Sequence, residues 1–259
     1  MLILLPPSES KHAPGRGRPV DLGSLTYPDL AGARRQVLDA LVAASKRADA
    51  TDVLGVGASV ADQVAANVDL RQAPTAPAAE VYRGVLYEAA GLATAAGTAR
   101  RRANKHVRII SALWGVLGPA DRIPAYRLSM GAALPPVAPL GSFWAGHLQP
   151  VMDPSGQDVV VDCRSGAYAP AWSPAAGRPW LSVRVVAIRD GRPTVVSHHA
   201  KHARGVLTGH LLRRPESMPR TISQVIEAAG ELVGTFARDV TYHPGRAKGP
   251  DTLEIVLAD

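Results

Sequence analysis

Cysteine is almost absent from this sequence: Cys163 is the single one in 259 residues. That excludes an intrachain disulfide and any zinc site built on several thiolates. It fits a reducing compartment, so the cytoplasm is the expected location. Aromatic residues make up 5%, with two phenylalanines, so the core has to be aliphatic. Long apolar runs are missing too. Met1 to Leu5 is apolar but stops at Pro6-Pro7, too short for a signal core or a membrane span; it reads as a buried strand, and no membrane partner is expected. No Ser/Gly-rich or highly charged linker divides the chain, so one domain over residues 1–259 is expected. There is no Walker loop, no nucleophile triad and no pair of catalytic carboxylates. Gly55-Val56-Gly57 lacks the third in-frame glycine of a dinucleotide fingerprint. No cofactor is identified.

What is present is an ordinary globular composition, 46% apolar and 20% charged, with a net charge of +7. The basic balance slightly favours a polyanionic or phosphorylated partner. Short apolar runs at Leu2–Leu5, Val107–Ser111 and Val159–Cys163 read as strands buried on both faces. Leu181–Ile188 and Pro193–His199 flank Asp190-Gly191, a hairpin signal, and Thr252–Leu257 reads as a terminal strand. Leu30, Val37, Leu38, Leu41 and Val42 fall at helical spacing in a helix from Pro28 to about Ala48. Further helices are expected at Glu88–Ala95, from about Lys201 to Leu212, and at Ile222–Ala228. The expected fold is therefore mixed α/β, a central mixed sheet flanked by helices.

Several strands end in polar residues: Ser8 and Lys11 after the first, Ser111 on the second, Asp162, Arg164 and Ser165 on the third, His198, Lys201 and Arg204 on the fourth. If those strands lie parallel, their carboxyl ends line one crevice, where open α/β sheets bind ligands. Lys201 and Arg204 are three apart and share a helix face. Placed in the first turn, they would sit beside free backbone N–H groups and make an anion site. Gly205 inside that helix costs about 1 kcal/mol relative to alanine, which points to a close approach by backbone or ligand. Tyr126 and Arg127 offer a donor and a carboxylate- or phosphate-binding fork; a structural Arg clamping loop carbonyls is the alternative.

His198, His199 and His202 do not make a metal site on this pattern. Adjacent strand residues face opposite ways, and no Asp or Glu lies among them. His198 and His202 are instead candidate pocket side chains. Leu54-Gly55-Val56-Gly57 followed by Ala61 can be a helix-hairpin-helix within about residues 30–67, offering Gly55, Val56 and Gly57 backbone N–H groups to DNA phosphates. Two helices packed through small residues is the competing reading, and Asp62 with no Lys or Arg before Arg71 weakens the DNA one.

In this order the residues resemble the YaaA family of peroxide-stress proteins. The resemblance is carried by Met1-Leu2-Ile3-Leu4-Leu5-Pro6-Pro7-Ser8-Glu9-Ser10-Lys11, Tyr82-Arg83-Gly84-Val85, Ser111-Ala112-Leu113-Trp114-Gly115-Val116-Leu117, Pro124-Ala125-Tyr126-Arg127-Leu128, Val161-Asp162-Cys163-Arg164-Ser165 and Ala200-Lys201-His202-Ala203-Arg204-Gly205. It implies one α/β domain with a helix-hairpin-helix. It also implies a role in limiting oxidative damage where peroxide and free iron coexist, and binding to double-stranded DNA. The polar positions it carries over are Ser8, Lys11, Tyr126, Arg127, Lys201 and Arg204. Two functions stand side by side: a DNA-associated stress protein, and an enzyme acting on a small anionic ligand such as a nucleotide, a phosphate or an activated carboxylate, with Lys201, Arg204 and Tyr126 as its catalytic groups. The oligomeric state is not written in the sequence.

Overall fold

In chain order the elements are β1 (Leu2–Leu5), α1 (Ala31–Ser45), α2 (Ala50–Val53), α3 (Ala61–Ala66), β2 (Ala76–Pro77), α4 (Ala78–Val81), α5 (Val85–Ala90), α6 (Gly97–His106), β3 (Val107–Ser111), β4 (Gly115–Leu117), β5 (Arg122–Ile123), α7 (Leu140–Leu148), β6 (Val160–Asp162), β7 (Trp180–Arg189), β8 (Arg192–Val195), α8 (Ser197–Arg213), α9 (Ile222–Gly230), β9 (Ala237–His243) and β10 (Asp251–Leu257). They come from a computed structural model that describes residues 1–152, 156, 158–189, 192–195, 197–245 and 249–258, with backbone alone at 189, 192, 193, 195, 197 and 198. The main sheet runs β4-β3-β1-β6-β7-β10-β9, and β8 pairs with β7. Strands β3, β1, β6, β7 and β10 are parallel neighbours; β4, β8 and β9 are antiparallel additions.

Sequence chemistry explains the middle of this sheet. Every residue of β1 and β6 is buried, as strands covered on both faces must be. Ile3 pairs with Val107 on one side and Val161 on the other. The three expected parallel strands are thus adjacent, and Leu5, Ser111 and Asp162 finish on the same side of the sheet. The buried side chains form one contiguous core rich in Val, Leu, Ile and Ala. Among the described residues no helix is long and apolar enough to cross a membrane.

Three expectations change. The β-rich run expected to reach His199 stops sooner: β8 ends at Val195 and α8 begins at Ser197. After Val196 no β-branched residue occurs until Val206, so nothing holds the chain extended. His198, Lys201 and Arg204 therefore belong to a helix rather than to a strand end, and Lys201 lies in its second turn, beyond the free N–H groups of the helix start. The side chain of His198 and the residues Asp190-Gly191 lie outside the described residues; β7 and β8 pair antiparallel on either side of them. Finally, a helix-hairpin-helix is not confirmed. Two short helices, α2 and α3, do flank the left-handed Gly55, but α1 ends well before the turn.

A buried arginine closes one edge of the molecule. Arg34 on α1 is 0% exposed. It donates to the carbonyls of Trp114 (3.1 Å) and Val116 (2.9 Å) at β4, and to Leu22 (3.4 Å), Thr26 (2.5 Å) and Tyr27 (3.2 Å). The long proline- and glycine-rich loop before α1 is thereby tied to the sheet edge. Burial lowers the guanidinium's pKa to about 10, partly offset by Asp121. Removing this donor leaves buried carbonyls unsatisfied. Arg34→Met is expected to lose about 3–5 kcal/mol of stability in urea denaturation, while the exposed neighbour Arg35→Ala should change it by less than about 0.5 kcal/mol. Equal effects would contradict this role.

Candidate functional site

The crevice at the strand ends has a volume of about 440 Å³. One wall is the Pro6–Ser10 segment leaving β1. A second is the Ser165–Tyr168 turn leaving β6. The other two are the start of α5, from Gly84 to Tyr87, and the face of α8 that carries Ala200, Lys201 and Arg204. Of the residues singled out in the sequence, it gathers Ser8, Ser165, Lys201 and Arg204.

Glycines set the width of this crevice. A Cβ at Gly205 would overlap the Leu86 carbonyl oxygen and lie 2.8 Å from the Ala89 Cβ; one at Gly209 would lie 2.9 Å from the Ala90 oxygen. Two helices can cross this closely only through such small residues. So the close approach inferred for Gly205 is the backbone of α5. The entry to α5 is also fixed. Gly84 has φ +107°, a conformation other residues rarely adopt. The Ser8 hydroxyl donates to the Arg83 carbonyl, and the Tyr87 hydroxyl to that of Pro6 at 2.7 Å. Tyr87 is reached by no motif reasoning because its partner lies far away in sequence.

The charges divide into satisfied and unsatisfied ones. Asp162 and Arg164 form a buried bidentate pair, Nη2 to Oδ2 at 2.6 Å and Nε to Oδ1 at 2.9 Å. The Arg164 backbone N–H also donates to Oδ1 at 3.0 Å, its Nη1 donates to the Tyr168 carbonyl, and the Trp180 indole donates to Oδ2. This pair shapes the Ser165–Tyr168 wall rather than presenting charge to the crevice. Arg127 is paired with Glu9 at 3.0 Å, and its backbone is held by the buried Asn67 amide through bonds of 2.8 and 2.9 Å, a clamp the sequence did not announce. Lys201 is exposed and has no hydrogen bond or ion pair among the described residues. Arg204 spends Nε and Nη2 on the Val183 carbonyl, at 3.2 and 2.9 Å, and among the described residues faces no carboxylate within ion-pair distance. Two cations are thus left uncompensated on one helix face.

A separate buried cluster lies beside the crevice. The Tyr126 hydroxyl is 2.7 Å from the Ser111 Oγ and 2.8 Å from the Tyr82 hydroxyl. Burial raises both tyrosine pKa values far above the ordinary range. Lys11 sits over the Tyr126 ring at 4.4 Å and donates to the Ser8 carbonyl at 2.7 Å. The structure therefore groups Lys11, Tyr126 and Ser111 together, beneath the Pro6–Ser10 wall. His202 is exposed on α8 with its ring 5.6 Å from that of Phe236, away from the crevice lining. Gly55, Val56 and Gly57 lie in the turn between α2 and α3 and do not line the crevice. Among the described residues no group of three His, Cys, Asp or Glu is placed to hold a metal.

Comparison with known proteins settles the ancestry. The description "Peroxide stress protein YaaA" matches residues 1–230. The chain belongs to the YaaA family. It is 40% identical over 256 residues to a UPF0246 protein of Streptomyces coelicolor, covering 98% of each. It is 38% identical over 242 residues to one of Corynebacterium efficiens, and 36% identical over 241 to one of Corynebacterium glutamicum, covering 90% of this chain and 94% of the relative in both cases. All the crevice residues fall inside the YaaA match, whereas β9 and β10 lie beyond it.

Burial lowers the Lys11 amine from 10.5 to about 8, with Glu9 opposing and Arg127 reinforcing the shift. Between those two values the unfolded chain holds more protons than the folded one, so this group makes stability rise with pH across that window. Lys11→Met is expected to be more stable than the parent at pH 7, with the gap closing between pH 8 and 10.5. Denaturation curves that keep a constant gap over that range would contradict the buried amine.

Proposed function

We propose that this YaaA-family protein binds a small phosphate- or carboxylate-bearing metabolite in the crevice, and that this binding underlies a cytoplasmic role in the peroxide-stress response named in the family description. The observation that carries the reading is the pair Lys201 and Arg204, two cations without carboxylate partners, facing a bounded cavity on a rigid helix. A half-buried cation such as Arg204 is normally paired with a carboxylate; together with the exposed Lys201 three residues before it, it can receive an anion from outside. Their chemistry is electrostatic: they stabilise a bound anion or negative charge developing on it.

Direct peroxide chemistry on a thiol does not fit. Cys163 is buried, and burial pushes its thiol up to about 12 despite the nearby Arg204, so the reactive thiolate is scarce. A second reading is duplex DNA held by the α2–α3 turn, limiting iron-dependent damage there. In its favour, Gly55 is exposed with open space around it, and the net charge is +7. Against it, the segment from Asp49 to Asp69 carries Asp49, Asp52, Asp62 and Asp69 without a Lys or Arg. The flanking Arg47 and Arg71 are paired with Asp49 and Asp39.

Calorimetric titration with inorganic phosphate tests the first reading. Lys201→Ala and Arg204→Ala should each weaken binding by about 10- to 100-fold, the worth of one charge-assisted hydrogen bond. Unchanged affinity, or no phosphate binding by the parent, would overturn it. Duplex DNA binding that falls steeply with salt and is lost on changing the turn, with the crevice intact, would favour the second.

A further inference from the structure

We propose that the crevice is a mononucleotide site that selects a terminal phosphate monoester. This rests on the reading above that Lys201 and Arg204 receive an anion, and adds what the rest of the cavity is for. A volume of about 440 Å³ is the room of roughly 15 waters at ~30 Å³ each. A phosphate displaces only a few of them. The space left over is not polar throughout. Besides the two cations it is bounded by Pro6, Pro7, Val85 and Leu86, apolar surfaces that a flat heterocycle can cover. The lining also includes polar side chains, Ser8, Glu9, Ser10, Ser165 and two tyrosines, Tyr87 and Tyr168, suited to ribose hydroxyls and to the polar edge of a base. An apolar slot with few convergent polar groups and one charged end is the general form of a small-ligand site, and here the charged end is cationic.

Charge counting narrows the phosphate type. Glu9 is paired with Arg127, and Asp162 with Arg164, so the lining keeps the two positive charges of Lys201 and Arg204, to which the Lys11 amine behind the Pro6–Ser10 segment adds. A phosphate monoester carries about −1.5 to −2 at neutral pH; a diester carries one negative charge. The monoester matches the site and the diester leaves it undercompensated. Duplex nucleic acid, with only diesters along its length, is the poorer ligand for this cavity.

The test is a titration of the full chain with inorganic phosphate, AMP, GMP, CMP, UMP, adenosine and 3′,5′-cyclic AMP. At least one 5′-monophosphate should bind tenfold or more tightly than inorganic phosphate, adenosine and the cyclic diester. Val85→Trp, which narrows the apolar part of the crevice, should lower nucleotide affinity by a larger factor than phosphate affinity; a thermal melt confirms that the variant is folded. Lys201→Ala should weaken phosphate and nucleotide alike. If phosphate binds and no nucleotide binds better, the mononucleotide inference falls and the anion site stands. If neither phosphate nor any nucleotide binds, both fall.

Discussion

Gly205 and Gly209 lie one turn apart on α8, and α5 approaches them so closely that a methyl group at either position meets its backbone. The rest of the candidate site depends on this contact. Helix α5 supplies Val85, Leu86 and Tyr87 to one wall, and α8 supplies Lys201 and Arg204 to the facing one. Their separation is set by the absence of two side chains. Replacing hydrogen by methyl in a close-packed crossing forces the helices apart or strains them, and the crevice would change shape with them. A glycine that weakens its own helix by about 1 kcal/mol is thus offset by the packing of the pair.

Around that contact, groups that shape the site are separated from groups left free to act. Asp162 with Arg164, Glu9 with Arg127, and Asn67 with the Arg127 backbone are all partnered within the fold. They hold loops at the carboxyl ends of parallel strands, where the polar ends of several elements converge. Lys201 and Arg204 keep charge for something else. Such a division is what a rigid binding site needs, because groups already locked by neighbours lose little freedom when a ligand arrives.

The strands β1, β3 and β6 were legible because each is a short apolar run bounded by polar residues or prolines. Parallel pairing of these strands brings Ser8 and Ser165 to one side of the sheet, whereas Lys201 and Arg204 reach the crevice from a helix that follows the antiparallel β8. Less was legible where local pattern and tertiary role part. Helix α6 went unread because its sequence is so polar that Ala103 is its one buried residue. The edge strand β9 exposes Arg238 and Asp239 and lacks clear alternation. The start of α8 was misplaced because Thr194, Val195 and Val196 suggest a strand that continues. Asp162 and Arg164 looked like ligand groups because nothing in their spacing says that they satisfy each other. Gly205 was marked by its cost, but its partner lies more than a hundred residues earlier, at Leu86.

The central claim is that the α5–α8 contact sets the geometry in which Lys201 and Arg204 meet an anion. Gly205→Ala tests it most directly, with phosphate affinity measured by calorimetry under conditions where the variant is folded. The account predicts affinity lowered tenfold or more although both cations remain in the chain. Affinity equal to that of the parent would contradict it.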